Sequence, residues 1–127
     1  MMKPKMLVVE DELFVRMDFV DQAQAAGFET VEAGSAAEAV SILEQRDDIG
    51  VVFTDIRMPG DMDGLALAHM VRDRWPPTII VICSGNEPPS EGALPNGVTF
   101  MPKPCSGPEI DELLLAIKNE LGAGPPL

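Results

Sequence analysis

The feature that most constrains this chain is a set of short apolar runs, each stopping abruptly at polar residues. Met6-Leu7-Val8-Val9 runs into Glu10-Asp11-Glu12, and Val51-Val52-Phe53 into Thr54-Asp55. Ile79-Ile80-Val81-Ile82-Cys83 runs into Ser84-Gly85, and Val98-Thr99-Phe100-Met101 into Pro102-Lys103-Pro104. Runs that are short, rich in β-branched residues and apolar on both faces read as buried strands of a parallel sheet. A fifth, weaker strand fits Phe28 to Glu32.

Helical patterns lie between these runs. Leu13 to Ala26 carries apolar residues at 13, 14, 17, 20 and 23, and Gly27 follows as a stop. Ser35-Ala36-Ala37-Glu38 is a capping box opening a helix to about Gln45, because a serine oxygen and a glutamate three residues on can satisfy exposed N–H groups reciprocally. Leu65 to Arg74 is a third helix, stopped by Pro76-Pro77. Ser106-Gly107-Pro108-Glu109 is a second capping box, and the helix after it runs to about Leu121. Asn86 to Asn96 occupies the place of one more helix but contains Pro88, Pro89, Gly92 and Pro95. An interior proline costs a helix about 3 kcal/mol. At best a single turn is expected near Ser90 to Leu94, in what should be the most irregular and mobile part of the chain.

Strands alternating with helices imply βαβ units. The expected fold is α/β: a doubly wound five-stranded parallel sheet of (βα)5 type, its fourth helix short or irregular. The 127 residues suit one domain, 1–127, with 122–127 as a frayed tail.

Composition excludes several function classes. Nine basic residues oppose 21 acidic ones, a net charge of −12, so nothing could neutralise a row of nucleic-acid phosphates or favour an anionic membrane surface. No stretch approaches the roughly 18 apolar residues of a membrane span. The first apolar run, four residues from Met6 to Val9, falls short of a secretory core of about 7 to 15. A cytoplasmic protein is expected. Cys83 and Cys105 are too few for a disulfide framework and read as reduced thiols, Cys83 as core packing.

In an open parallel sheet, function gathers at the carboxyl ends of the strands. There this sequence places Glu10, Asp11, Glu12, Asp55, Ser84 and Lys103. Carboxylates within about 4 Å repel by roughly 4 kcal/mol per pair at an effective dielectric near 20. Such a group persists around a divalent cation, and a few oxygen ligands on loops suit Mg²⁺ with retained waters. A cation and a lysine can screen a phosphoryl group while an aspartate attacks it, and Ser84 could hydrogen-bond a phosphate oxygen.

These pieces resemble the receiver domains of bacterial two-component response regulators, the CheY-like, flavodoxin-like fold. The matching segments are Leu7 to Glu12, Thr54-Asp55-Ile56-Arg57-Met58-Pro59-Gly60 with Met62-Asp63-Gly64-Leu65, Cys83-Ser84-Gly85, and Phe100-Met101-Pro102-Lys103-Pro104. Each alone is weak; in this order, at strand ends, the set is specific. The resemblance implies Asp55 as phosphoacceptor, and Mg²⁺ bound by Asp11, Asp55 and the backbone carbonyl of Arg57, with Glu10 acting largely through water. It implies Lys103 as the phosphate-pairing ammonium, Ser84 as switch hydroxyl, Phe100 as switch aromatic and a cis Lys103–Pro104 peptide. It implies a sensor histidine kinase or histidine phosphotransfer protein as donor, a downstream protein target, autodephosphorylation as the reset, and a monomer or weak dimer rather than an enzyme with its own substrate. On length, a single-domain regulator is expected; the alternative is a receiver excised from a larger regulator or hybrid kinase.

The sequence departs from the family by inserting Asp61 before Met62 and by replacing a helix with the proline-rich segment. Three rival readings each meet an obstacle in the sequence. An aspartate-nucleophile phosphatase of the haloacid dehalogenase type wants a second aspartate where Arg57 stands. A flavodoxin wants a phosphate-cradling loop where acids follow the first strand. A receiver-shaped module that never takes phosphate would not need the acid set. Glu12 reads as a solvated loop or first-turn acid, Asp61 as a loop acid more than a ligand, and His69, mid-helix, as a solvated or packed residue.

Overall fold

The structure, a computed structural model, describes residues 3–85, 92–103 and 107–122. Five strands, β1 (Lys5–Val9), β2 (Glu29–Ala33), β3 (Ile49–Thr54), β4 (Ile79–Ser84) and β5 (Thr99–Pro102), form one parallel sheet in the order β2-β1-β3-β4-β5. Four helices are described: α1 (Leu13–Ala25), α2 (Ala36–Gln45), α3 (Gly64–Arg74) and α4 (Pro108–Gly122). Order reverses between β1 and β3, which places a crevice at their carboxyl ends.

Strand alternation divides the core in two. Met6 and Val8 point to one face, where with Val51, Phe53 and Val81 they meet Phe19 and Ala23 of α1 and Ile110 and Leu114 of α4. Leu7 and Val9 point to the other, where with Val52, Ile80 and Ile82 they meet α2 and α3 through Leu43 and Leu67. Phe19 stacks on Phe53 with ring centroids 3.5 Å apart.

The expected fold class is the one observed, with local differences. The second strand starts at Glu29, because Gly27 (φ +100°) turns the chain and the Phe28 N–H is spent on Ala23 O. β5 is an edge strand and half-exposed, which is why it tolerates Pro102. The apolar positions 13, 14 and 17 do not face the core: Phe14 is 76% exposed, and Leu13 and Met17 are exposed too. The buried stripe of α1 is Phe19, Val20 and Ala23, with Val15 and Arg16 half-buried one turn earlier. No helix occurs among the described residues between β4 and β5. The expected single turn near Ser90, the Ser106 capping box, the Lys103–Pro104 peptide and the 123–127 tail lie wholly or partly outside the described residues, whereas Gly122 ends α4.

The Ser35 box forms in part. Ser35 Oγ accepts from Glu38 N–H at 3.1 Å, but Glu38 Oε2 accepts from Gly34 rather than from Ser35 itself. α3 has a cap that the sequence reading missed: Asp63 Oδ1 accepts from Ala66 N–H at 2.8 Å. Asp63→Ala is expected to lower stability by about 1 kcal/mol, read as the shift in a urea unfolding midpoint.

Candidate functional site

Main-chain bonds carry the sheet past its last residues and so aim the site. The amide of Glu10 donates to Ala33 O at 3.0 Å, that of Asp55 to Val9 O at 3.3 Å and that of Lys103 to Ser84 O at 2.9 Å. Residues 10, 55, 84 and 103 are thereby held along one edge of the sheet, with Ser84 of β4 between Asp55 and Lys103. Lys103 Nζ donates to Asp55 Oδ2 at 2.7 Å and to Glu10 Oε1 at 3.1 Å. Glu10, Asp55 and Ser84 are buried, while Asp11 is exposed at the lip. Beside this cluster opens a cavity of about 450 Å³, floored by Val8, Phe19, Phe53 and Cys83.

Burial raises the Glu10 carboxyl above the ordinary glutamate value, and the Asp11 side chain pushes the same way. The Glu12 N–H, donating to Glu10 Oε2 at 3.1 Å, and Lys103 oppose that rise without cancelling it. Burial also works against the Lys103 charge, but its bonds to Asp55 and Glu10 win and hold the ammonium above the ordinary lysine value. The signs follow. Folding favours protonated Glu10, so its contribution is full below the ordinary glutamate range and declines as pH rises through the raised value. Lys103 contributes fully below the ordinary lysine range, and that contribution is lost as pH rises through its raised value. Melting temperature is therefore expected to fall at alkaline pH, and to fall less steeply in Lys103→Met.

Arg57 and Asp61 are exposed on the loop between β3 and α3. Ser84 is fully buried at the end of β4, its carbonyl tied to Lys103. Phe100 is half-buried and packs on the α2–α3 side of the core. Glu12 is exposed and caps α1 by position only. His69 is exposed on α3. The structure thus brings Glu10, Asp55 and Lys103 into direct contact, with Asp11 against Glu10.

One expectation is corrected. Cys83 is disulfide-bonded, not a reduced thiol. Spacing along the chain could not show this, because the pairing of β4 with β5 that sets Met101 beside Cys83 is a tertiary fact; Cys105 lies outside the described residues. Sequence reasoning also missed Arg16, which donates to Glu10 O at 2.8 Å and to Glu32 Oε1 at 3.0 Å, fastening the carbonyl of Glu10. Its only trace in the sequence is a basic residue in the first turns of a helix that follows three acids.

Among the described residues no three His, Cys, Asp or Glu side chains form a ready-made metal cage. Mg²⁺ asks for less: one or two carboxylates, with water filling the other positions. Exposed Asp11, which acts on Glu10, and buried Asp55, which shares Lys103 with Glu10, supply two carboxylates of the hard-oxygen type which that demand calls for.

The sequence pattern of the response regulator receiver domain matches residues 6–115. Sensor kinase CckA of Brucella abortus is 34% identical over 122 residues, covering 91% of this chain and 12% of the kinase. The C4-dicarboxylate transport transcriptional regulatory protein DctD of Rhizobium meliloti is 36% identical over 104 residues, covering 80% of this chain and 22% of DctD. The chain therefore spans less than a quarter of the length of either. The receiver domain of hybrid histidine kinase CckA superposes with a TM-score of 0.74 at 32% identity, covering 89% of this chain and 97% of that one. Response regulator protein TrrA of Thermotoga maritima, in complex with Mg²⁺–BeF, superposes with a TM-score of 0.78 at 25% identity, covering 91% and 99%.

Proposed function

Because the chain belongs to the response regulator receiver domain family, a family of two-component signalling domains rather than classical enzymes, we propose that it is a phosphorylation switch whose acceptor is Asp55. The observation that carries this reading is the Lys103 ammonium, 2.7 Å from Asp55 Oδ2 and 3.1 Å from Glu10 Oε1. One cation holds a buried aspartate in place at the mouth of a crevice, with the negative charge ready to attack.

A sensor histidine kinase or histidine phosphotransfer protein would present a phosphohistidine. An Asp55 carboxylate oxygen attacks phosphorus, the P–N bond breaks and the electron pair leaves with the imidazole, giving an aspartyl phosphate. Lys103 then pairs with a phosphoryl oxygen, in a site where a fixed charge acts through little water. Asp11, Asp55 and the backbone carbonyl of Arg57 would hold Mg²⁺, with Glu10 reaching it through water. When bound, the ion supplies further neutralisation of the phosphoryl oxygens. Lys103→Ala should slow modification by acetyl phosphate by roughly 10²–10³-fold, the usual effect of removing one charge-stabilising donor.

Ser84, buried at the neighbouring strand end, is proposed to swing its hydroxyl to the phosphoryl group, with Phe100 turning inward behind it. The acyl phosphate then shifts an equilibrium between two surface conformations that a downstream protein reads, and hydrolysis resets it. Ser84→Ala should accept phosphate at the wild-type rate but lose the gain in partner affinity on beryllofluoride treatment. An unchanged gain would remove Ser84 from the switch. The phosphatase rival is tested by turnover of a generic phosphomonoester: a single modification supports the switch, and sustained release of phosphate supports the rival. The same reading places the chain in the cytoplasm, whether it acts alone or as part of a longer regulator.

A further inference from the structure

The described chain between β4 and β5, residues 92–98, has no helix, so its carbonyls have no partners from helical turns of their own. α3 supplies partners instead. His69 Nε2–H donates to Ala93 O at 2.6 Å, and Arg72 Nε–H donates to Asn96 O at 2.9 Å. Residues 69 and 72 are three apart and share one face of α3. Arg72 also donates to Pro76 O at 2.6 Å and to Thr78 O at 3.1 Å, just before β4. One guanidinium thus fastens the entry to β4 and the entry to β5. Gly97 (φ +78°) passes close by: a Cβ there would stand 3.4 Å from an Arg72 terminal nitrogen. Leu94 and Val98 are partly buried and pack with Phe100 on the α2–α3 side of the core.

We infer that residues 92–97 are a strap, and that its attachment to α3 through His69 and Arg72 is a brake on the switch. The inference rests on the phosphoacceptor reading above. Ser84 ends β4 where the connection begins, and Phe100 is the second residue of β5 where it ends. Movement at both ends strains the tie between them. Hydrogen bonds made only in the resting arrangement lower its energy alone, and so weaken the apparent affinity of any ligand that favours the other arrangement.

The test is a titration of the full chain with beryllofluoride in the presence of Mg²⁺, followed by amide NMR, for wild type, His69→Ala and Arg72→Lys. Each variant is expected to bind beryllofluoride roughly two- to tenfold more tightly, the factor for one net hydrogen bond removed from the resting state. A variant that only loosens the fold binds no more tightly. The His69 side chain is exposed, so His69→Ala decides the question if Arg72→Lys does not fold. Unchanged or weaker affinity in the folded variants, with wild type responding, overturns the strap. No response from wild type overturns the phosphoacceptor reading, and the strap with it.

Discussion

Asp55→Asn is expected to take up no phosphoryl group. Incubated with Mg²⁺ and acetyl phosphate, the wild-type chain should gain the mass of one phosphoryl group, and the variant should keep its starting mass. The reason is chemical before it is structural. A carboxamide carries no negative charge to attack phosphorus, and it cannot form an acyl phosphate. The structure adds a competitor that makes the experiment informative. Glu10 also touches Lys103, 3.1 Å from Oε1 against 2.7 Å for Asp55. Its carboxyl is held above the ordinary glutamate value by burial and is the poorer nucleophile near the bottom of its titration. A mass gain in Asp55→Asn equal to that of wild type would transfer the acceptor role to another residue. Glu10→Gln should still gain the mass, at a lower rate. Beryllofluoride offers a parallel readout, because it should perturb the Asp55 region of the wild-type NMR spectrum and leave that of Asp55→Asn unchanged.

Gly64→Ala is expected to cost about 3 kcal/mol or more, a large loss for one added methyl group. A Cβ on Gly64 would overlap Asp55 O and stand 2.6 Å from Asp55 C and 2.9 Å from Ile56 Cα. All three are main-chain atoms, so no rotamer change relieves the overlap. The Gly64 N–H also donates to Ile56 O at 2.7 Å, drawing the start of α3 against the residues that follow β3. The methyl group therefore forces the Asp55 peptide itself to move, and phosphoryl uptake should fail even at temperatures where the variant stays folded. Gly60→Ala is the control. Gly60 also lies in this loop and has a positive φ (+105°), but nothing lies within 4 Å of its Cβ position. It should lose only about 1–2 kcal/mol from backbone strain and keep its acceptor activity. Equal unfolding midpoints for wild type and Gly64→Ala would show that the close approach is not made in solution.

The elements differ in how much of them was legible beforehand. β1, β3 and β4 could be read because burial on both faces leaves an unbroken apolar run whose end is marked by a charge or hydroxyl. Glu10, Asp55, Ser84 and Lys103 were legible for the same reason, since each directly follows or closes a strand. α1 misled at its first turn. Leu13, Phe14 and Met17 have the spacing of a buried stripe, yet they face solvent, and the core takes Phe19, Val20 and Ala23 instead. Periodicity reports which residues share a face, not which face the sheet will cover. The Asp63 cap had a local signal that went unused, an aspartate directly before the helix, whereas the Arg16 tie to Glu10 depends on where a long side chain ends.

Taken alone, the order of residues determined the alternation of strand and helix, the layered α/β class and the identities of the groups at the strand ends, because hydrophobic periodicity and chain punctuation are local properties. Only the folded molecule decided that Lys103 lies between Asp55 and Glu10, that Arg16 holds the Glu10 carbonyl, that Cys83 is bonded, and that α3 fastens the connection ahead of β5. Apart from the Arg16 tie, six residues long, the contacts of Lys103 and α3 join residues 24 to 93 apart in sequence. Their distances come from strand register and helix placement, which balance packing on both faces of the sheet at once, and no single segment carries that information.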